Sequence, residues 1–337
     1  MPSSPSILII GSLNTDLTTL TLRLPLAGET LTATSFSTSC GGKGANQAVA
    51  CARASRRHPP PASNPSNISS TASHSIEDFD IQVSMIGAVG SDVYGTQLLE
   101  ELSSNEIEVS GISVHENVST GVAVIIVESS TGENRILITP GANALVTFNK
   151  LVPPLPDLIV LQLEILLTTV LGVMKAAKQQ GVDVLLNPAP AVELPVEALQ
   201  GLAHLVMNES EASILSGGAP DGEDTDSDLA LLSAFHRFSE LGVQHTIITL
   251  GSKGVAYSTG QGNFARKSAE TVKEVVDTTA AGDTFVGTYA VEVVKWKRGG
   301  EEEDFDIEQA VGKANRAAAR TVQRKGAMQS IPWMDEV

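Results

Sequence analysis

The residues best suited to chemistry lie in Asp277-Thr278-Thr279-Ala280-Ala281-Gly282-Asp283-Thr284-Phe285. A β-prone run, Thr271 to Val276, precedes the string, and a helical segment, Thr284 to Lys297, follows it. The small residues Ala280, Ala281 and Gly282 leave room for a phosphate to approach the backbone. There the unpaired N–H groups of the helix start carry its positive dipole end. Asp283 places a carboxylate beside that anion site, which is costly unless the carboxylate is used. Abstracting a proton from an attacking hydroxyl is one use. An ordinary helix start, where Asp is a favoured residue, is the competing reading. The flanking small residues and the second carboxylate, Asp277, turn the balance toward chemistry.

Gly41-Gly42-Lys43-Gly44-Ala45-Asn46-Gln47 opens another helix that is expected to run to about Arg56. It is not a P-loop, because Gly44 stands where that motif needs Ser or Thr to reach magnesium. The glycines allow backbone contact with a ligand, and Lys43 and Asn46 can hydrogen-bond a polyol. Asn14 and Asp16 follow the apolar run Ile7 to Ile10, at the strand end where open α/β sheets bind ligands; an Asx turn would explain them equally. Glu164 ends a second buried run, Leu158 to Leu163. Asn208 and Glu211, three apart at a helix start, share one face. They suit either a hydrated magnesium or a capping box.

Taken in order, these strings resemble the ribokinase-like (PfkB-type) sugar kinases. Gly41 to Asn46 is similar to that family's first signature and Asp277 to Phe285 to its second. Asn187-Pro188-Ala189-Pro190-Ala191 is a turn string also typical of it. One departure is Thr288, where relatives usually carry Ala or Gly. The resemblance implies ATP-dependent phosphorylation of a sugar primary hydroxyl, foremost the 5-hydroxyl of D-ribose. Asp283 would be the base, and the backbone of Ala280, Ala281 and Gly282 the anion hole. Asn14, Asp16, Gly42, Lys43, Gly44, Asn46 and Glu164 would orient the sugar. Asn208, Thr249, Gly251, Ser252, Lys253, Gly254, Gly282 and Asn315 would line the nucleotide, with Asn208 and Glu211 serving magnesium. Potassium would be held by Asp277, Thr279, Thr321, Arg324, Gly326 and Ser330; a salt bridge from Asp277 to Arg324 or Lys325 is the alternative. A nucleoside kinase, a kinase of another sugar, and a non-catalytic sugar-binding regulator are the rival functions.

To position these residues the chain needs alternating strands and helices, which imply an α/β fold. The alternation implies a mainly parallel sheet with helices on both faces, and the resemblance implies the ribokinase-like three-layer fold. A single domain spanning 1–337 is expected. Strands are expected at Ile81 to Ile86, Val182 to Leu186, Leu205 to Met207, Thr246 to Leu250 and Val255 to Ser258. Helices are expected from Asp92 to Asn105, Leu229 to Leu241 and Ile307 to Gln323. Segments 13–39 and 107–140 read as a small β-lid over the sugar, through which a homodimer is expected. Residues 55–80, rich in Pro, Ser, Asn and His, read as a disordered insertion. Asp221 to Asp228 and Arg298 to Asp306 read as acidic loops.

Composition limits the alternatives. With 337 residues, 42% of them hydrophobic, the chain can bury a large core. A formal charge of −17 opposes nucleic acid or an anionic membrane as partner. Two cysteines, Cys40 and Cys51, give no disulfide framework and suit a reducing compartment. No apolar run approaches a membrane span. The expectation is a soluble cytoplasmic protein with access to the nucleus, working on a small sugar and ATP.

Overall fold

The computed structural model describes residues 4–59, 81–131, 133–217, 227–299 and 304–337. Among these, nine strands form one sheet. Its parallel part comprises β1 (Ser6–Ile10), β4 (Gln82–Gly90), β5 (Glu108–His115), β8 (Leu158–Leu161), β9 (Asp183–Leu186), β10 (His204–Asn208) and β11 (His245–Thr249). The antiparallel pair β12 (Val255–Gly260) and β13 (Asn263–Lys267) extends one edge, giving the order β13-β12-β11-β10-β9-β8-β1-β4-β5. A second sheet is made of β2 (Asn14–Thr21), β3 (Ser35–Gly41), β6 (Gly121–Glu128) and β7 (Asn134–Thr139), ordered β3-β2-β6-β7.

The central strands are buried on both faces, which is why they read as continuous apolar runs. Successive residues serve opposite cores: Leu158 and Val160 of β8 face one, Ile159 and Leu161 the other. The first core is shared with α1 (Lys43–Ser55), α2 (Val93–Ser104), α7 (Ala281–Arg298) and α8 (Ile307–Thr321). The second is covered by α3 (Leu167–Gln180), α4 (Val196–Leu199), α5 (Glu209–Ser216) and α6 (Asp228–Glu240). One contact sets the site. Gly287 of α7 lies so near α1 that a Cβ there would stand 2.4 Å from the Ala50 methyl. The small residues of α1 permit this approach, which brings Asn46 and Gln47 beside Asp283.

The structure corrects several expectations. The competing Asx turn at Asn14 and Asp16 does not form: both lie in β2, within the 13–39 segment expected to join the lid, because the chain passes from β1 into the second sheet after only three residues. Of the 107–140 segment, β5 pairs with β4 in the large sheet, so only β6 and β7 belong with β2 and β3. Thr271 to Val276 forms no strand. Val275 and Val276 are more than half exposed, and the Val276 and Asp277 amides donate instead to the Val322 carbonyl. β13 and α3 lie outside the elements expected from sequence.

Most of the 55–80 segment, residues 60–80, lies outside the described residues, as do 221–226 of the first acidic loop and 300–303 of the second. At its start Ser55 ends α1, Arg56 pairs with Glu106 at 2.7 Å, and the His58 amide donates to Asp335. Asp228 opens α6 behind a Ser227 cap, and Asp306 caps α8.

Candidate active site

Asp283 is buried in the first turn of α7, which starts where Ala280 turns left-handed at φ 60°. A non-glycine residue there carries backbone strain on the order of 1–3 kcal/mol. The turn aims the helix start at the sheet edge. The Ala281 amide donates to the Thr278 carbonyl at 3.3 Å. The Gly282 and Asp283 amides have no acceptor among the described residues, as expected in the first turn of a helix. Thus, of the expected anion hole, Ala280 and Gly282 have amides without an acceptor among the described residues, as Asp283 itself has, while the Ala281 amide is engaged by its own turn.

Each carboxylate oxygen of Asp283 accepts from an amide on α1. Asn46 Nδ2 reaches Oδ2 at 2.9 Å and Gln47 Nε2 reaches Oδ1 at 2.9 Å. Gln47 also donates to Asn187 Oδ1 at 3.0 Å, and Gln162 Nε2 donates to Gln47 Oε1 at 2.7 Å. Gln162 is the polar exception in the Leu158 to Leu163 run, a sequence signal for a polar network.

Glu164 gathers a second set of groups. Its Oε2 accepts from Ser12 Oγ at 2.6 Å, the Lys43 amide at 3.1 Å and Asn14 Nδ2 at 3.4 Å. Asn143 then fixes Asn14, donating to its Oδ1 at 2.8 Å, and exchanges bonds with the Leu13 backbone. Gly42 precedes α1 at φ 91°, and a Cβ there would fall 2.6 Å from the Asn14 amide. Only glycine fits. Gly44 likewise abuts the Ser12 backbone. Ser12 and Asn143 were not distinguishable as site residues in the sequence, because isolated polar residues carry no motif; Gln47 stands in the Gly41 to Gln47 string and Gln162 in an otherwise apolar run, but neither was assigned a role.

Asp16 lies over Gly41, and no donor among the described residues reaches its carboxylate. Burial, then repulsion from Glu164 and Asp283, raises its pKa to about 7. Lys43 supplies the opposing charge. Burial lowers its pKa, but Asp283, Glu164 and Glu211 together leave it raised.

Across Asp283, Lys43, Asn187, Asn208, Glu211, Thr249, Thr278, Ala280 and Gly282 line a cavity of about 200 Å³. Asn208 and Glu211 form the capping box of α5. Asn208 Oδ1 accepts from the Glu211 amide, and Glu211 Oε2 from the Asn208 amide, both at 2.8 Å. The box leaves one Glu211 oxygen and the Asn208 amide nitrogen for other partners. Burial raises the Glu211 pKa, with backbone hydrogen bonding from Asn208 and the Lys43 charge opposing. No three His, Cys, Asp or Glu residues gather as a metal cage among the described residues.

This geometry suits transfer of an anionic group to a polar ligand bound beside Asp283. The pfkB family carbohydrate kinase model matches residues 4–334. The chain belongs to the pfkB family. A ribokinase of Schizosaccharomyces pombe is 41% identical over 341 residues, covering 98% of this chain and 96% of that protein. A deoxyribokinase of Salmonella typhi is 33% identical, with 98% and 96% covered. The structure of Arabidopsis thaliana ribokinase complexed with ribose and ATP superposes with a TM-score of 0.80 at 29% identity, covering 99% of this chain and 97% of that one.

Of the other residues expected from the pfkB resemblance, Thr249 lines the cavity and the rest lie outside its lining. Thr249 ends β11 and donates to the Met207 carbonyl at 3.4 Å; Gly251, Ser252 and Lys253 make a 3-10 turn closed by Gly254. Asn315 Nδ2 is tied to the Ser268 carbonyl at 2.8 Å. Asp277 does not pair with Arg324, which forks onto Glu336 at 2.7 and 3.1 Å. Its carboxylate instead accepts from the Thr279 amide and hydroxyl and from the Gly326 amide, at 2.9, 2.6 and 2.9 Å. The side chains of Thr321 and Ser330 turn inward, to Thr284 Oγ1 and the Ala327 carbonyl. Any role for these two at a cation would fall to their backbone oxygens.

Proposed function

We propose that this chain is an ATP-dependent ribokinase, transferring the terminal phosphoryl group of ATP to the 5-hydroxyl of D-ribose. The observation that carries this reading is the buried Asp283 carboxylate, fixed by Asn46 and Gln47 beside the free amides of a helix start. The full-length likeness to kinases of free pentoses supports it over a nucleoside kinase or a non-catalytic sugar binder.

On this reading Asn14, Asp16, Gly42, Lys43, Gly44, Asn46 and Glu164 hold the sugar. Asp283 takes the proton of its primary hydroxyl as the oxygen attacks phosphorus. The amides at Gly282 and Asp283, with Lys43, stabilise the charge spread over the phosphoryl oxygens. Thr249, the Gly251 to Gly254 turn and Asn315 border the nucleotide. Asn208 and Glu211 fit a magnesium ion that keeps most of its water, since of the two carboxylates lining the cavity Asp283 is held by Asn46 and Gln47, and no all-protein cage exists among the described residues. Bound magnesium would neutralise phosphate charge.

Potassium is proposed beside Asp277, with backbone oxygens of Thr279, Thr321, Arg324, Gly326 and Ser330. No Lys or Arg pairs with Asp277 among the described residues, so a cation fits the carboxylate's needs. A homodimer is proposed through the small sheet, which exposes Phe36, Ile136, Leu137 and Ile138. The free cysteines fit a reducing compartment, and the cytoplasm is proposed. Among the described residues no helix is long and apolar enough to cross a membrane.

A coupled ADP-release assay over ribose, 2-deoxyribose, other sugars and adenosine tests the reading. Ribose is expected to give the highest kcat/KM, and a clear preference for adenosine would overturn it. The same assay in potassium and in tetramethylammonium at equal ionic strength tests the cation. Faster turnover in potassium, lost in Asp277→Ala, is expected; equal rates would leave Asp277 a structural carboxylate.

A further inference from the structure

We propose that Gln47 and Gln162 are positioning residues, a buried amide relay that fixes how the Asp283 carboxylate faces the sugar hydroxyl. The proposal rests on the assignment of Asp283 as base and extends it to two side chains that do not border the cavity.

Both glutamines are fully buried. They come from different layers, Gln47 from α1 and Gln162 from just beyond β8, and they meet behind Asp283. A glutamine amide can point either way round, and the two orientations differ sharply here. With Nε2 toward Asp283 it donates to a carboxylate; reversed, its oxygen would face one. Two contacts select the donating orientation. Gln47 Oε1 is occupied by Gln162 Nε2 at 2.7 Å, and the second Nε2 hydrogen of Gln47 is accepted by Asn187 Oδ1 at 3.0 Å. Asn187 is itself set by donating to the Val206 carbonyl at 2.9 Å. The anchored chain of bonds therefore runs from the β10 backbone through Asn187 and Gln47 to Asp283 Oδ1, and Gln162 joins it as the donor to Gln47 Oε1.

The relay also carries a cost that packing would not select. Gln162 Oε1 is buried with no hydrogen-bond partner, lodged against Gly11, where a Cβ would stand 2.0 Å from it. A leucine would fill that space with no stranded acceptor. Nature's choice of glutamine at such a place is explained by the donor on its other atom. Asp283 Oδ1 and Oδ2 each keep a lone pair not spent on Gln47 or Asn46, and the relay holds that pair in a fixed direction toward the attacking hydroxyl.

Gln162→Leu and Gln162→Glu are compared with Gln47→Leu and the parent chain. Each is measured for kcat, ribose KM and the pH profile of kcat at saturating ribose and magnesium-ATP. Lys43 of α1, Asp16 of β2 and Glu211 of α5 also bear on the Asp283 charge. Saturating substrate holds their partners constant across the set. Gln47→Leu should lower kcat roughly 10- to 100-fold, with KM within about threefold, and move the acid limb to higher pH, since the charged carboxylate loses a donor.

Gln162→Leu should do the same more weakly. Gln162→Glu, nearly isosteric, should be worse than Gln162→Leu, because its oxygens repel Gln47 Oε1 and favour the reversed amide. The reverse ranking of the two Gln162 variants, or kcat losses with an unmoved acid limb, would reduce the relay to packing. Asp283→Asn separates the two claims. If it collapses turnover while the glutamine variants leave the acid limb in place, only the relay fails. If it leaves turnover intact, the base assignment fails.

Discussion

At the residue scale, function rests on carboxylates held close together against their own repulsion. Asp16 shows this most directly, with a pKa raised to about 7 by burial, Glu164 and Asp283. Its folded-state pKa lies above its unfolded value. It therefore favours the fold at low pH, and that contribution is lost as pH rises through about 7. At pH 8 the charged Asp16 is a net cost to the empty protein. Asp16→Asn should raise the Tm at pH 8 by roughly 2–5 °C without ligand while weakening ribose use, a trade of stability for binding. Calorimetry paired with kcat/KM checks both halves. A lower Tm in the variant would show that Asp16 has an unrecognised partner.

If Asp16 accepts from vicinal ring hydroxyls, ribose should exceed 2-deoxyribose in kcat/KM by at least ~10-fold, about 1.4 kcal/mol. Equal use would mean that this site does not read the missing hydroxyl, and would place the chain with its deoxyribokinase relative in preference. Asp283 was legible in sequence because a motif string surrounds it, and Asp16 and Glu164 because each follows a buried apolar run and the family resemblance recruits it. Ser12, Asn143 and Gln162 were not, since each is a lone polar residue whose partner lies more than a hundred positions away.

At the element scale, close approach of backbones builds the site. Gly44 in α1 sits against β1's exit, where a Cβ would lie 2.6 Å from the Ser12 amide nitrogen and 2.7 Å from the Gly11 carbonyl carbon. Both neighbours are backbone and cannot yield. Gly44→Ala should push α1 outward, weaken the Gly44 amide bond to Ser12 Oγ and raise ribose KM by at least ~10-fold, with a smaller loss of thermal stability. Unchanged KM would show that α1 can slide without disturbing Glu164.

Elements with long apolar or well-capped patterns were readable: α2 begins at the Asp92 cap and ends at Asn105, as expected. Thr271 to Val276 was not. Its β-propensity is real, but no neighbouring strand offers a ladder, and propensity for a pleated surface means little without one. The second sheet was readable in kind but not in extent. Its first strand starts at Asn14, so residues that resemble a loop by type are held in a strand by pairing with β3 and β6.

At the scale of the whole molecule, the two-core layered architecture follows from strands apolar on both faces, and that was visible in the sequence. The aromatic cluster under the sheet was not. His204 and His245 stack with ring centres 4.9 Å apart, and His204 Nδ1 meets the Tyr289 hydroxyl at 2.9 Å beside Phe305. Burial, then the His245 and Lys297 charges, holds His204 well below its usual 6.5; burial also lowers His245. A lowered folded-state pKa means that the unfolded chain takes up the proton first. Stability from this pair is therefore present above about pH 6.5 and lost as pH falls below it. Relative to His204→Phe, the parent chain should lose about 1.4 kcal/mol more per pH unit below 6.5, read by denaturant melts from pH 7.5 to 5.5. Parallel pH slopes would show that His204 is charged or exposed in the fold.

All of this architecture converges on one carboxylate at the start of α7. Replacing Asp283 by Asn keeps its size and removes the proton acceptor, so the steady-state rate of ribose-dependent ADP release in Asp283→Asn bears on the whole account. That rate should fall by about two to four decades, with the ribose Kd from calorimetry within a few-fold of the parent. Turnover within a factor of about three of the parent would contradict it.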